Sequence, residues 1–253
     1  MLTQETIQKL RLMRLKGLAE AFEAQLKSPD LSELSFEERF GLLVDQEWTA
    51  RQNRRLARFL KEAHLRLPAC PEDINYQHPR GLDRGQLRSL FTGTWLQEHR
   101  NVIITGPTGV GKTFIACALG NAACRQGFRV RYYRVPRLFH DLTIAKGDGS
   151  YPRFLAKLAR MDLLILDDWG LAPLSADEAR ALLEIVDDRS QTRSTLMVSQ
   201  LPLENWHAAM ADPTVADAVL DRLVHNAYKI FLKGESMRKV AQQQASNMFS
   251  NQN

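Results

Sequence analysis

Eight consecutive residues, Gly106-Pro107-Thr108-Gly109-Val110-Gly111-Lys112-Thr113, hold the chain's densest chemical signal. Glycines at this spacing let the backbone adopt conformations closed to residues with a Cβ, so that successive N–H groups point inward at anionic oxygens. Lys112 supplies a point charge for the β and γ phosphates of a nucleoside triphosphate. The Thr113 hydroxyl is an oxygen ligand suited to Mg²⁺. Downstream, Leu163-Leu164-Ile165-Leu166-Asp167-Asp168 is an apolar run ending in two adjacent carboxylates. By themselves such acids read as a solvated turn or a helix cap. With the loop upstream, Asp167 becomes the partner of a hydrated Mg²⁺ and Asp168 the group that polarises an attacking water. A polar residue ending a further strand would lie beside the γ-phosphate, and Gln200 is the candidate, with Ser199 second.

These groups need a scaffold that brings them together. Apolar runs predict strands at 102–105, 129–135, 163–167, 195–199 and 229–232, with helices between them, one running from about Ala176 to Arg189. Strands separated by helices imply crossovers and a parallel sheet in an α/β fold, with ligands at the carboxyl ends of the strands, where both motifs fall. The loop is preceded by the strand-like run Asn101-Val102-Ile103-Ile104-Thr105 and followed by the helical Phe114-Ile115-Ala116-Cys117-Ala118-Leu119, and a helix N-terminus there adds partial positive charge.

Residues 1–67 show helical spacing only. Ile7, Leu10, Leu15, Leu18, Phe22 and Leu26 recur at intervals near three and four until Ser28-Pro29-Asp30 breaks the pattern. Ser35 and Glu38 form a capping-box pair ahead of a second helix through Phe36, Phe40, Leu43, Val44 and Trp48 toward Leu60. The expected organisation is a small all-α domain at 1–67, a proline-stiffened linker at 68–73, an α/β domain at 74–241 and a polar tail at 242–253. Ile74 and Tyr76 precede the core where a nucleotide base could pack.

The bulk properties narrow the classes. A chain of 253 residues with 44% hydrophobic and 25% charged residues can bury a sizeable core. No apolar stretch approaches bilayer length, and Met1-Leu2-Thr3-Gln4-Glu5 lacks the features of a signal peptide, so a cytoplasmic location is expected. Cys70, Cys117 and Cys124 are too few for a disulfide framework, and the six histidines form no pair at metal-binding spacing. The net charge of +5 favours a polyanionic partner only weakly.

Taken in order, these pieces resemble the branch of AAA+ ATPases that contains the helicase loader DnaC and the IstB-type transposition helpers of insertion sequences. The likeness spans nearly the whole chain. It is closest to the IstB type through Leu10-Arg11-Leu12 with Gly17-Leu18-Ala19-Glu20-Ala21, Arg54-Arg55-Leu56 with Leu60-Lys61, Leu166-Asp167-Asp168-Trp169-Gly170, and Ser199-Gln200-Leu201-Pro202. The resemblance implies a P-loop AAA+ parallel sheet without a separate helical lid domain, binding of ATP and Mg²⁺, and ATP hydrolysis. It also implies self-association into a ring or spiral, duplex DNA binding and delivery of a target site to a separate transposase. Carried over by residue, Gln200 is the γ-phosphate sensor, Arg222 the arginine acting on a neighbouring subunit, and Arg238 a second sensor. Relatives often have Asn where Gln200 stands, one methylene shorter.

Two places could contact DNA. Arg51, Arg54, Arg55, Arg58 and Lys61 recur at helical intervals as a basic stripe, which reads equally as a solvated face or a partner surface, since Asp45, Glu47 and Glu62 blunt its field. Arg137 with Lys146 and Arg153, between the second and third strands, is the first-ranked alternative. A replicative helicase loader shares the same ATPase core with a different client; a small-molecule P-loop kinase or a nucleotide-gated adaptor would share only the loop.

Overall fold

The computed structural model describes residues 2–28, 33–237 and 239. Among these, five strands form one sheet: β1 (Asn101–Thr105), β2 (Val130–Arg134), β3 (Leu163–Trp169), β4 (Ser194–Ser199) and β5 (Ala227–Phe231). All pairings are parallel, in the order β2-β3-β4-β1-β5. The chain divides into two units, Met1–Arg58 and Phe59–Asn253.

In the second unit, strand residues of alternate parity face opposite layers of helix. Ile103, Leu164, Leu166 and Met197 pack with α7 (Val135–Gly147), α8 (Tyr151–Ala159), α9 (Ala176–Arg189) and α10 (Pro213–Val224) in one core. On the other face, α6 (Lys112–Arg125) lies against β1, β3 and β4, with α4 (Arg84–Phe91) beside it and the short α5 (Thr94–Gln97) after it. Burial of both faces explains why the centre of β1, Val102-Ile103-Ile104, is continuously apolar and why the strand is buried at every position. The helix drawn from Ala176 to Arg189 has those bounds, and its Ser175–Glu178 capping box satisfies the first-turn N–H groups. The segment 68–73 contains a 3-10 turn at Pro71–Asp73 that packs along α6, with Arg125 donating to Glu72 at 2.6 Å.

Arg189 fastens one end of this unit. Only 1% exposed, its guanidinium donates to the carbonyls of Leu158, Met161 and Ser194 and to the Thr195 hydroxyl. It thereby ties the end of α8, the turn before β3 and the start of β4. Burial, reinforced by Arg193, pushes its pKa down to about 9.

In the first unit, the helical pattern before residue 28 is two helices rather than one. The chain leaves α1 (Leu2–Leu12) through Arg14, at φ 61, and re-enters α2 (Lys16–Gln25). The third helix, α3 (Phe36–Ala63), begins with the expected Ser35–Glu38 box. The turn holds because Glu47 of α3, 6% exposed, accepts the Leu18 N–H at the start of α2. A Cβ on Gly17 would come within 2.8 Å of the Ala50 Cβ, so glycine permits this approach. Burial opposes ionisation of Glu47, but Arg51 and the N–H groups of Leu18 and Gly17 outweigh it and hold its pKa below the usual range. Leu43 is buried, whereas Phe36, Phe40, Val44 and Trp48, four residues apart along α3, remain exposed.

Replacing Arg189 by Met should leave its carbonyl partners unsatisfied and lower the stability of this unit by about 3 kcal/mol. Denaturant unfolding of the purified variant measures it, and an unchanged midpoint would show that these bonds contribute little.

Candidate nucleotide site

Register, more than proximity in sequence, assembles the site. Thr105 of β1 pairs with Ser199 of β4, and Arg134 of β2 pairs with Asp167 of β3, so the carboxyl ends of four adjacent strands finish level. Between Leu166 and Trp169 the β3–β4 pairing shifts register, and Asp168 takes a left-handed φ of 63. A bulge here re-aims side chains that regular pleating would send to opposite faces. The two carboxylates consequently open onto one cavity of about 680 Å³, lined also by Thr108, Lys112, Thr113 and Gln200, a volume suited to a nucleotide.

The loop wraps as its composition predicts. Gly106 has φ 147, and a Cβ there would run into the Leu232 carbonyl. Lys112 Nζ donates to the carbonyls of Gly106 and Pro107, at 2.7 and 2.8 Å. Burial lowers its pKa, against the pull of Asp167 and Asp168. Thr113 Oγ1 donates to Asp167 Oδ2 at 2.8 Å, bringing the two expected metal ligands into contact. The same oxygen accepts from the Tyr132 hydroxyl at 2.7 Å, while Asp167 Oδ1 accepts the Asp168 N–H. Burial, and then Asp167, push the Tyr132 pKa well up, so it stays a donor.

Gln200 reaches the loop: Thr108 Oγ1 donates to its Oε1 at 2.6 Å. Ser199 instead donates to the Trp169 carbonyl and accepts the Leu201 N–H, bracing the strand ends. Arg222, on α10, is absent from the cavity lining. It donates to Asp187 of α9 at 2.6 Å and to the Ala218 carbonyl, so its surface ion-pair partner is Asp187. Arg238 lies outside the described residues. Of the segment proposed to hold the base, Ile74 is buried and Tyr76 sits under the Arg84 guanidinium. The cavity is lined instead by Leu67, Asn75, Phe114 and Met237.

Three cations of this cavity carried no sequence signal. Arg80, 3% exposed, donates to the carbonyls of Val110 in the loop and Asn75 before it. Burial lowers its pKa, offset in part by Tyr76. Arg134 donates to Asp168 Oδ2 at 2.5 Å, and Arg66 approaches the same oxygen at 3.4 Å. Arg66, Arg80, Lys112 and Arg134 thus surround a pocket suited to a polyanion, and two of them hold the second acid in place.

Of the first-ranked DNA candidates, Arg137 pairs with Asp141, Lys146 lies 5.1 Å from the Tyr151 ring, and Arg153 is exposed. On α3, Arg51 and Arg54 both bind Glu47. Those two side chains are therefore partly engaged in holding the first unit, and Arg55 and Arg58 also have interactions of their own.

Sheet order, phosphate loop and paired acids define a P-loop ATPase of the AAA+ fold. Solved structures agree in fold: DnaI superposes with a TM-score of 0.56 at 19% identity, over 70% of this chain and 93% of that one. AMPPCP-bound DnaA from Aquifex aeolicus gives 0.57 at 17% identity, over 73% and 56%. The chain belongs to the IstB-like ATP binding protein family, which it matches over residues 8–245. It is 49% identical to the insertion-sequence ATP-binding protein y4pL of Sinorhizobium fredii, across 94% of this chain and 98% of that protein. The ATP-binding protein of insertion sequence IS1162 from Pseudomonas fluorescens is 48% identical, over 84% and 93%. The protein is thus an ATPase of the insertion-sequence helper type. Among the described residues no helix is long and apolar enough to cross a membrane.

Lys112→Ala should weaken ATP binding by about 2–5 kcal/mol, roughly 30-fold or more, because the buried phosphate charge loses its cation. Calorimetry or a fluorescent nucleotide reads this directly, and wild-type affinity would contradict the role of the loop.

Proposed function

We propose that this protein is the ATP-dependent DNA-binding helper of a transposase, assembling on duplex DNA and presenting a target site, with hydrolysis completed between subunits. The observation that carries the last step is the position of Arg222, which lies outside its own chain's cavity and at the surface of the α9–α10 pair. An arginine brought to the transferring phosphoryl group stabilises the charge developed there and can be worth roughly 10³–10⁵ in rate. Supplied by a second copy, it makes turnover depend on assembly.

Within one subunit the roles divide by chemistry. The loop amides and Lys112 bind the phosphates. Thr113 and Asp167 present hard oxygen donors in mutual contact, a set that fits Mg²⁺, and they would hold that ion. The ion would neutralise charge on the phosphates and help orient them. Asp168 polarises the attacking water, its carboxylate fixed by Arg134 and Arg66. Gln200, tied to Thr108, senses the γ-phosphate. The exposed row Phe36, Phe40, Val44 and Trp48 on α3 supports a protein-binding role for the first unit. Arg137, Lys146 and Arg153 supply the cationic groups for DNA proposed from the sequence. The rival reading as a helicase loader rests on fold likeness alone, whereas the high identities are to insertion-sequence proteins. Capture of a transposase, against a hexameric replicative helicase, separates the two.

Asp168→Asn should keep ATP binding and assembly while slowing hydrolysis by roughly 10²–10⁴. Arg222→Ala should lose turnover by roughly 10³ or more, and mixing it with Asp168→Asn subunits should restore a fraction, because mixed interfaces contain one intact site. Steady-state phosphate release measures both. The absence of rescue, or turnover per molecule that is independent of dilution and duplex DNA, would refute action between subunits.

A further inference from the structure

We infer that a second cavity, at the amino ends of β2 and β3, seats a phosphate group of a nucleic-acid backbone. It encloses about 370 Å³ and is lined by Arg129, Arg131, Lys157 and His64, with Glu62 at its rim and Phe59, Val130 and Met161 supplying apolar wall. Strand direction places it at the end of the sheet opposite the nucleotide cavity, so the ATPase chemistry makes no use of it.

The charges around it are arranged for an anion. Arg131 is already oriented: it donates to the Glu62 carbonyl at 3.0 Å and to the Tyr133 hydroxyl at 3.2 Å, and its guanidinium lies 4.9 Å from the Tyr133 ring centre. Its Nε is buried without a hydrogen-bond partner among the described residues. The side chains of Arg129 and Lys157 make no hydrogen bond or ion pair among the described residues. The nearby carboxylate of Asp162 is occupied by the Arg129 N–H and the Arg193 guanidinium. Among the described residues, three cations therefore line the cavity with one carboxylate, Glu62, that makes no ion pair. Their field is felt by His64, whose pKa is lowered by Arg131, then by burial and by Lys157.

A row of charge leading away from the cavity favours a polymer over an isolated phosphate. Arg153 and Lys157 on α8 and Arg160 at its C-cap fall at i, i+4 and i+7, along one face, while Leu155 and Leu158 on the opposite face are buried. All three cations are exposed, and β2, which carries Arg131, is an edge strand of the sheet among the described residues. Phosphate contacts of this kind position a duplex without reading its sequence. The inference deepens the DNA-binding reading and rests on it for the polymer, though not for the phosphate group.

The test uses the full chain and two probes, inorganic phosphate and a short duplex, with His64 as reporter. Its imidazole resonance, identified by its loss in His64→Gln, is titrated by NMR. The duplex should raise the His64 pKa, because an anion stabilises the protonated ring, and binding should tighten as pH falls through that pKa. Arg129→Ala combined with Lys157→Ala should abolish the duplex-induced rise and flatten the slope of log affinity against log salt by about 2, with an unchanged thermal midpoint. An unchanged slope in this variant, with duplex still bound, overturns the seat and leaves the DNA reading standing. A rise with inorganic phosphate but no duplex binding at all keeps the phosphate seat and refutes the DNA reading. No rise with either probe overturns the inference outright.

Discussion

The carboxylate of Asp167 is the point on which the site's geometry turns. One of its oxygens accepts from Thr113 at the start of α6 and from Tyr132 on β2, and the other accepts the next residue's N–H. A buried acid with three donors has its polar oxygens satisfied, where unsatisfied ones would be costly. These bonds join the phosphate loop, the edge strand and the bulge of β3. Loss of any of the three would move Thr113 and Asp167, the proposed metal ligands, apart or let the neighbouring Asp168 swing.

Around that point the cavity concentrates positive charge without collapsing on it. Arg80 is satisfied by backbone carbonyls, so it braces the loop while remaining a cation. Arg134 and Arg66 engage Asp168, and Lys112 rests on the loop's own carbonyls. Lys112 can exchange those carbonyls for phosphate oxygen at modest cost, since charge-assisted bonds are replaced by bonds of the same kind.

The same economy of arginines limits which basic residues are available elsewhere. Arg51 and Arg54 serve the buried Glu47, which joins α3 to the start of α2, and this weakens the case for the α3 stripe as a nucleic-acid surface. Arg189, with no carboxylate among its hydrogen-bond partners in the described residues, serves the Thr195 hydroxyl and the carbonyls of Leu158, Met161 and Ser194. Position in the fold, and not residue type, separates these structural guanidinium groups from those that face the nucleotide.

Strand and helix periodicity, the glycine spacing around Lys112 and the paired acids after an apolar run are local patterns, and they determined the α/β class, the loop and the Asp167–Asp168 pair. Local pattern could also place Gln200 at a strand end. It could not show that Gln200 reaches Thr108 while Ser199 turns back to Trp169, because that choice depends on how β3 and β4 pair. Arg66, Arg80 and Arg134 lie in stretches with no motif, and the break at Arg14 depends on Glu47, 33 positions later in the numbering. Spacing along a chain fixes what neighbours can do within a turn or a strand. Contacts between residues far apart in sequence arise only from tertiary packing, and at the site it was the alignment of parallel strand ends that chose the residues facing the nucleotide.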